Sequence, residues 1–232
     1  MSALTALNAE VVACRRCPRL VEWRERVARE KRAAFRDQEY WGRPMQGFGD
    51  PAARVLVLGL APAAHGGNRT GRIFTGDRSG DFLFASMHRL GLANQALSVS
   101  RDDGLRLDDA YVVAAVRCAP PANKPTPEER ENCSPWLEQE VSLLSRLRVV
   151  VCLGAFAWES ALRLRAMLDG DPVPRPRPKF THAAELAGAP WTLLGCFHPS
   201  QQNTFTGRLT PDMMDAVFGR ARTLARGGSP CP

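Results

Sequence analysis

Lysine is scarce in this chain: Lys31, Lys124 and Lys179 are three of its 31 cationic residues. The glycine-rich stretch "GLAPAAHGGNRTGRIFTGD" (59–77) accordingly lacks the G-x-x-x-x-G-K-[ST] pattern of a phosphate loop, and no clear pair of magnesium-binding carboxylates accompanies it. That weakens a nucleotide phosphotransferase. Nor does a carboxylate follow the apolar run "RVLVL" (54–58), where a hydrolase often keeps its base. No apolar run approaches the ~20 residues that a membrane helix needs. The N-terminal "MSALTALNAEVVACRRC" has no basic stretch leading into an apolar one, so a cytoplasmic protein without a membrane partner is expected. There is no internal repeat and no clear linker.

What is present is arginine. The net charge of +7 and pI near 9.4 favour an acidic partner such as nucleic acid, and the arginine fork grips phosphate in two places. A GC-rich coding sequence accounts equally well for an Arg-, Ala- and Pro-rich chain. At 232 residues, 44% hydrophobic and 24% charged, the chain suits one soluble α/β domain spanning 1–232. Seven cysteines in a cytosolic chain point to metal or redox chemistry and away from a disulfide framework.

Four short apolar runs read as strands: "RVLVLGL" (54–60), "AYVVAAV" (110–116), "LRVVVCLG" (147–154) and "PWTLLGCF" (190–197). They alternate with helical patterns, as in a parallel sheet covered on both faces. Helices are expected at 18–34, 79–92, from the capping box "TPEE" (126–129), at 154–168 and at 210–225. Residues 40–52 and the Pro/Arg stretch 169–182 read as loops. In open parallel sheets ligands bind beyond the carboxyl ends of strands, and the segments 59–77, 117–126 and 197–209 all begin there.

Cysteines form the first constellation. Cys14 and Cys17 make a C-x-x-C pair; Cys118 and Cys133 bracket "APPANKPTPEEREN", one leaving a strand and the other about two turns into the capped helix. With the N-terminal pair they suit a four-thiolate site. Zinc would bring two tight knuckles, whereas a loose second pair suits a bulky iron–sulfur cluster. Nothing upstream of Cys14 supplies the His and Glu of a zinc deaminase. Cys152 and Cys196, inside strands, read as core, and Cys231 as a tail residue.

Taken in order, "CRRC", "GLAPAAHGGNRTGRIFTGD", "VRCAPPANKPTPEERENC" (116–133) and "HPSQQNTFTGRLT" (198–210) resemble the uracil-DNA glycosylase superfamily. Within it they resemble the family 5, or type B, branch that carries a 4Fe-4S cluster. The resemblance implies an α/β/α sandwich around a four-stranded parallel sheet. It also implies excision of uracil from DNA, with Cys14, Cys17, Cys118 and Cys133 as cluster ligands, and a monomer is expected.

Base excision needs a platform for the flipped base, stabilisation of the leaving anion and a water for the sugar. Phe74 is the candidate platform, the alternative being a core residue beneath the loop. Gly59, Leu60 and Ala61 are the expected pocket wall. His198, in "HPS", matches the superfamily histidine that donates to the departing base oxygen. Leu60 stands where sister families place a polar residue that activates water, so the resemblance passes that task to the amide of Asn123, which positions water without deprotonating it. Asp77 reads either as a catalytic carboxylate facing the sugar cation or as a helix cap. Ser200, Gln201, Gln202, Asn203 and Arg208 are expected to contact DNA, with Arg69, Arg72 and Lys124 as further phosphate contacts. Val113 stands where the family 4 pattern has a uracil-reading Asn, so other deaminated bases enter the expected substrate range. The rival reading is a non-catalytic Fe–S protein that binds nucleic acid or senses redox state; it leaves "HPS" and "GRIFTGD" without a purpose.

Overall fold

The computed structural model describes residues 2–170 and 172–227; Cys231 lies outside them. In chain order the elements are α1 (Ala3–Ala13), α2 (Pro18–Glu30), β1 (Phe48–Gly49), β2 (Val55–Gly59) and the one-turn α3 (Gly67–Thr70). Next come α4 (Arg78–Arg89), β3 (Ala110–Ala114), α5 (Pro127–Ser142), β4 (Val149–Leu153) and α6 (Ala155–Asp169). The chain closes with β5 (Glu185–Leu186), β6 (Thr192–Cys196), α7 (Gln201–Phe205) and α8 (Pro211–Ala225). Short 3-10 turns lie at Ala33–Phe35 and Pro121–Asn123.

The sheet runs β1-β3-β2-β4-β6-β5. Its middle is the expected set of four parallel strands, in register Leu56 beside Tyr111 and Val150, and Val150 beside Leu193. Two antiparallel strands of two residues each extend it to six. These edges carry too few residues to show a period, which is why only four strands were expected. Likewise α1 has almost no amphipathic pattern and was not foreseen, although Ser2 caps it by accepting from the Thr5 N–H.

Alternation along the buried strands separates two cores. Val55, Val57, Val112, Val151 and Leu194 face α4 and α8; Leu56, Leu58, Val113, Val150 and Leu193 face α5 and α6. The result is the three-layer sandwich. A third apolar cluster joins Leu7, Val11 and Leu20 to Trp136 and contains Cys17, Cys118 and Cys133. The expected caps hold: Thr126 and Glu129 form the capping box of α5, and Thr210 caps α8. Among the described residues, no helix is long and apolar enough to cross a membrane.

Val113 is fully buried in the core under α5 and α6 and does not line the cavity described below. The period of the strand turns its side chain toward the α5 and α6 core.

Candidate active site

The loops after β2, β3 and β6 enclose a cavity of about 540 Å³. Its lining unites Leu60, Ala61, Phe74, Asp77, Asn123, His198, Ser200, Gln201 and Gln202, residues spread over more than half the chain. Wider surface hollows of about 620 and 770 Å³ contain none of them. Ala63, Ile73, Arg78 and Ser79 also line it and were not anticipated. Arg78 and Ser79 open α4 directly after Asp77, so the helix-cap reading of that aspartate already contained the signal.

Phe74 belongs to the core and to the cavity at once: it is 7% exposed and packs with Leu83 and Phe84. Its backbone has a φ of 52°, a conformation rare for a bulky residue. Gly80 permits this, because a Cβ there would come within 1.9 Å of the Phe74 carbonyl oxygen. Gly59 sits behind the ring, where a Cβ would meet Cε2 and Cζ at 2.9 Å. Gly59 is therefore the support of Phe74 and does not itself line the cavity.

His198 stands across from Phe74, with ring centroids 6.0 Å apart and planes tilted by 38°. Burial lowers its pKa to about 4, so the ring is neutral near pH 7 and retains an N–H to donate. Its carbonyl accepts from the Ser200 N–H and from Nδ2 of Asn203, both at 2.8 Å. Asn203 thus braces His198 from below. Ser200 caps α7, whose Gln201 and Gln202 are exposed at the cavity rim. Phe205, on the same helix, is 67% exposed beneath the Arg78 guanidinium, and Arg208 packs over the Phe197 ring.

Asp77 caps α4: its Oδ1 accepts from the Gly80 N–H at 2.9 Å. The other oxygen lies against Gly66, where a Cβ would come within 2.0 Å. Burial raises the pKa of this carboxyl above its ordinary value, opposed by the Gly80 and Ser79 amides. It is the one carboxylate among the described lining residues.

Asn123 projects from the 3-10 turn with a φ of 56°, next to Ala122 at 51°. Its amide makes no side-chain hydrogen bond within the described residues. Arg19, on α2, holds this loop from outside. Nε and Nη2 clasp Glu129 at 2.7 and 2.6 Å, and Nη2 also donates to the Lys124 carbonyl at 3.2 Å. A second tie from α2 reaches the other loop, where Nδ2 of the buried Asn68 donates to the Arg24 carbonyl.

Arg69 and Arg72 are internal struts and do not face a phosphate. Arg69 donates to the carbonyls of His65 and Gly76 and to Gln38. Arg72 binds Thr75, Ser98 and Asp103. Burial raises the Asp103 carboxyl, but Arg72 and three backbone amides outweigh it and hold the group at about 2.

The N-terminal pair and the pair around the β3–α5 loop meet as expected, Cys17, Cys118 and Cys133 buried together with Cys14 packed against them. Three N–H groups face the sulfurs: Arg24 Nη1 on Cys118 at 2.9 Å, the Arg117 amide on Cys133 at 3.4 Å and Asn132 Nδ2 on Cys17 at 3.7 Å. Among the described residues no three His, Cys, Asp or Glu side chains are arranged to hold a single metal ion. Cys152 and Cys196 are core residues in β4 and β6.

The family model of the uracil DNA glycosylase superfamily matches residues 46–222. The chain is 58% identical over 226 residues to a type-5 uracil-DNA glycosylase of Mycobacterium tuberculosis, covering 96% of this chain and 82% of the relative. It is 51% identical over 217 residues to a type-5 uracil-DNA glycosylase of Thermus thermophilus, covering 93% and 95%. A type-4 uracil-DNA glycosylase of Archaeoglobus fulgidus is 28% identical over 155 residues, 66% of this chain and 69% of the relative.

Proposed function

The chain belongs to the uracil-DNA glycosylase superfamily, and we propose that it hydrolyses the N-glycosidic bond of uracil in DNA, leaving an abasic site. The observation that carries this is the single cavity that brings Phe74, His198, Asn123 and Asp77 together.

A base turned out of the duplex lays its face on Phe74, whose strained backbone and glycine support keep the ring from drifting. The bond from C1′ to N1 breaks with its electron pair leaving on the base. His198 donates an N–H to the base oxygen as that negative charge develops. A neutral donor suits this step, because it stabilises the anion without itself losing a charge. Asn123 orients a water toward C1′, and the Asp77 carboxylate faces the sugar cation while capping α4. The attacking water's proton leaves to Asp77 or to solvent. Gln201, Gln202 and Ser200 meet the DNA at the rim, and Arg208 reaches its backbone. With apolar Leu60 and Ala61 at the strand end, the wall selects shape more than hydrogen-bond pattern, so other deaminated bases join uracil as substrates.

The same reading gives Cys14, Cys17, Cys118 and Cys133 a 4Fe-4S cluster. The donor set fits: four thiols gathered from two segments, with N–H groups on three of the sulfurs. A cluster held there ties the N-terminal segment to the β3–α5 loop, and its role is structural. Arg19 then carries that fixed position to the Asn123 loop.

Single-turnover assays on uracil-containing oligonucleotide test the proposal. Wild type should create abasic sites, and Asn123→Ala and His198→Ala should each slow excision by about 100-fold or more. An unchanged rate for Asn123→Ala refutes its assignment; wild type that creates no abasic sites refutes the function.

A further inference from the structure

The Arg24 guanidinium is 2% exposed, yet its one ion pair among the described residues, to Glu25, is long and shared. Its Nη1 donates to Cys118 Sγ at 2.9 Å and its Nη2 to the Cys14 carbonyl at 3.2 Å, while Nε has no partner among the described residues. The Glu25 carboxylate is 3.9 Å away and already engaged by Arg15. The other buried arginine of this region, Arg117, is different because it is matched by Glu140.

A buried cation whose only counter-charge is distant and shared is costly to hold out of water. Neutral thiols do not offset that cost, but four thiolates around an iron–sulfur core leave a net negative charge beside Nη1. We propose that Arg24 is the built-in counter-cation of the cluster: it stabilises the loaded site and destabilises the empty one. The inference rests on the cluster reading above. It also separates Arg24 from an ordinary packing residue. Removing the charge while keeping the volume should weaken cluster retention and, in the empty protein, relieve a penalty, as replacement of a buried charge by an apolar side chain does elsewhere.

The experiment compares wild type, Arg24→Met and Arg24→Lys, each loaded and measured for iron and acid-labile sulfide. Under a chelator, Arg24→Met should lose its iron about 10- to 100-fold faster than wild type, as partners behind metal ligands usually require, with Arg24→Lys between them. After iron removal under reducing conditions, Arg24→Met should melt at or above wild type. The reduction potential of the loaded cluster should fall in Arg24→Met and be restored toward wild type in Arg24→Lys, because a cation favours the more negative reduced state. The potential keeps the test decisive if the empty proteins do not fold. Loaded Arg24→Met with wild-type iron retention and potential overturns the inference alone. Empty and loaded Arg24→Met destabilised by the same amount also overturns it, in favour of simple packing. Wild type free of iron and sulfide overturns the cluster reading and this inference with it.

Discussion

Adding one methyl group at Gly59 tests whether the cavity depends on where the Phe74 ring stands. The Cβ of Gly59→Ala would lie 2.9 Å from Cε2 and Cζ of Phe74, where ordinary contact begins near 3.4 Å. Gly59 has an ordinary negative φ, so the substitution adds bulk without forbidding the backbone. It sits in the middle of the sheet between β3 and β4, which leaves the strand little room to move. The ring must then retreat by roughly 0.5 Å into the cavity it lines. Overpacking of this kind costs about 1–3 kcal/mol of stability. If a 1 Å misplacement costs about 100-fold in rate, half that distance should cost about tenfold in single-turnover excision. The measurement is a cycle with Phe74→Leu, whose side chain lacks the two ring atoms in conflict. In the Phe74→Leu background, Gly59→Ala should cost almost nothing further, giving a coupling of about 0.5–3 kcal/mol. Equal losses from Gly59→Ala in both backgrounds would refute the idea that Gly59 acts through Phe74.

Asp77→Asn keeps a good helix cap but removes the charge, so it should melt like wild type while slowing excision by about 100-fold, whereas Asp77→Ala should lose both; full activity in Asp77→Asn would leave Asp77 a cap only. Because burial lowers His198 to about 4, excision should not depend on its protonation between pH 6 and 8. Below pH 6.5 the unfolded chain takes up the proton first, so this histidine should subtract stability as pH falls toward 4, and thermal melts of His198→Gln should lack that part of the slope. Arg19→Met frees the Lys124 carbonyl and should lower the maximal excision rate several-fold. Arg19 is partly exposed, so melts should shift little, by about 1 kcal/mol or less; an unchanged rate would show that α2 does not hold the Asn123 loop.

The central sheet was legible because parallel strands covered on both faces must be continuous apolar runs, and "VLVL", "YVV", "VVVCL" and "TLLG" are such runs. The caps at Asp77, Thr126 and Thr210 were legible because a helix start uses local chemistry. The cavity followed from topology: three motifs at three strand ends must share one edge of the sheet. What escaped depends on direction and on distance along the chain. A sequence does not say that Asn203 turns inward to the His198 carbonyl, nor that Val113 faces the α5 and α6 core and not the cavity. Arg69 and Arg72 misled for a related reason. A cation in a glycine-rich loop resembles an anion site, but a loop this irregular leaves carbonyls unpaired, and these guanidiniums satisfy several of them. Arg19 and Arg24 stand in full view in and just after "CRRCPRL", yet their partners lie about a hundred residues away, where no local pattern points.

Those two arginines tie α2 to two of the loops that line the cavity, a link no single motif contains. Cys17 precedes the first turn of α2 and its side chain lies among the other cysteines, so whatever holds the sulfurs fixes the start of this helix. Within that first turn, Arg19 grips the Lys124 carbonyl, beside Asn123. Two turns on, the Arg24 carbonyl accepts from Asn68, within the loop that ends at Phe74 and Asp77. The left-handed backbone at Phe74, Ala122 and Asn123 is costly, about 1–3 kcal/mol each for such positions, and persists only where the surroundings over-determine it. All three strained residues lie in the two loops that α2 ties down. Stability drawn from the cysteine region is in this way converted into fixed positions for the Phe74 ring and the Asn123 amide, which line one cavity. Loss of the cysteine anchor should therefore slow excision before it unfolds the sheet, whose four central strands are buried independently of α2.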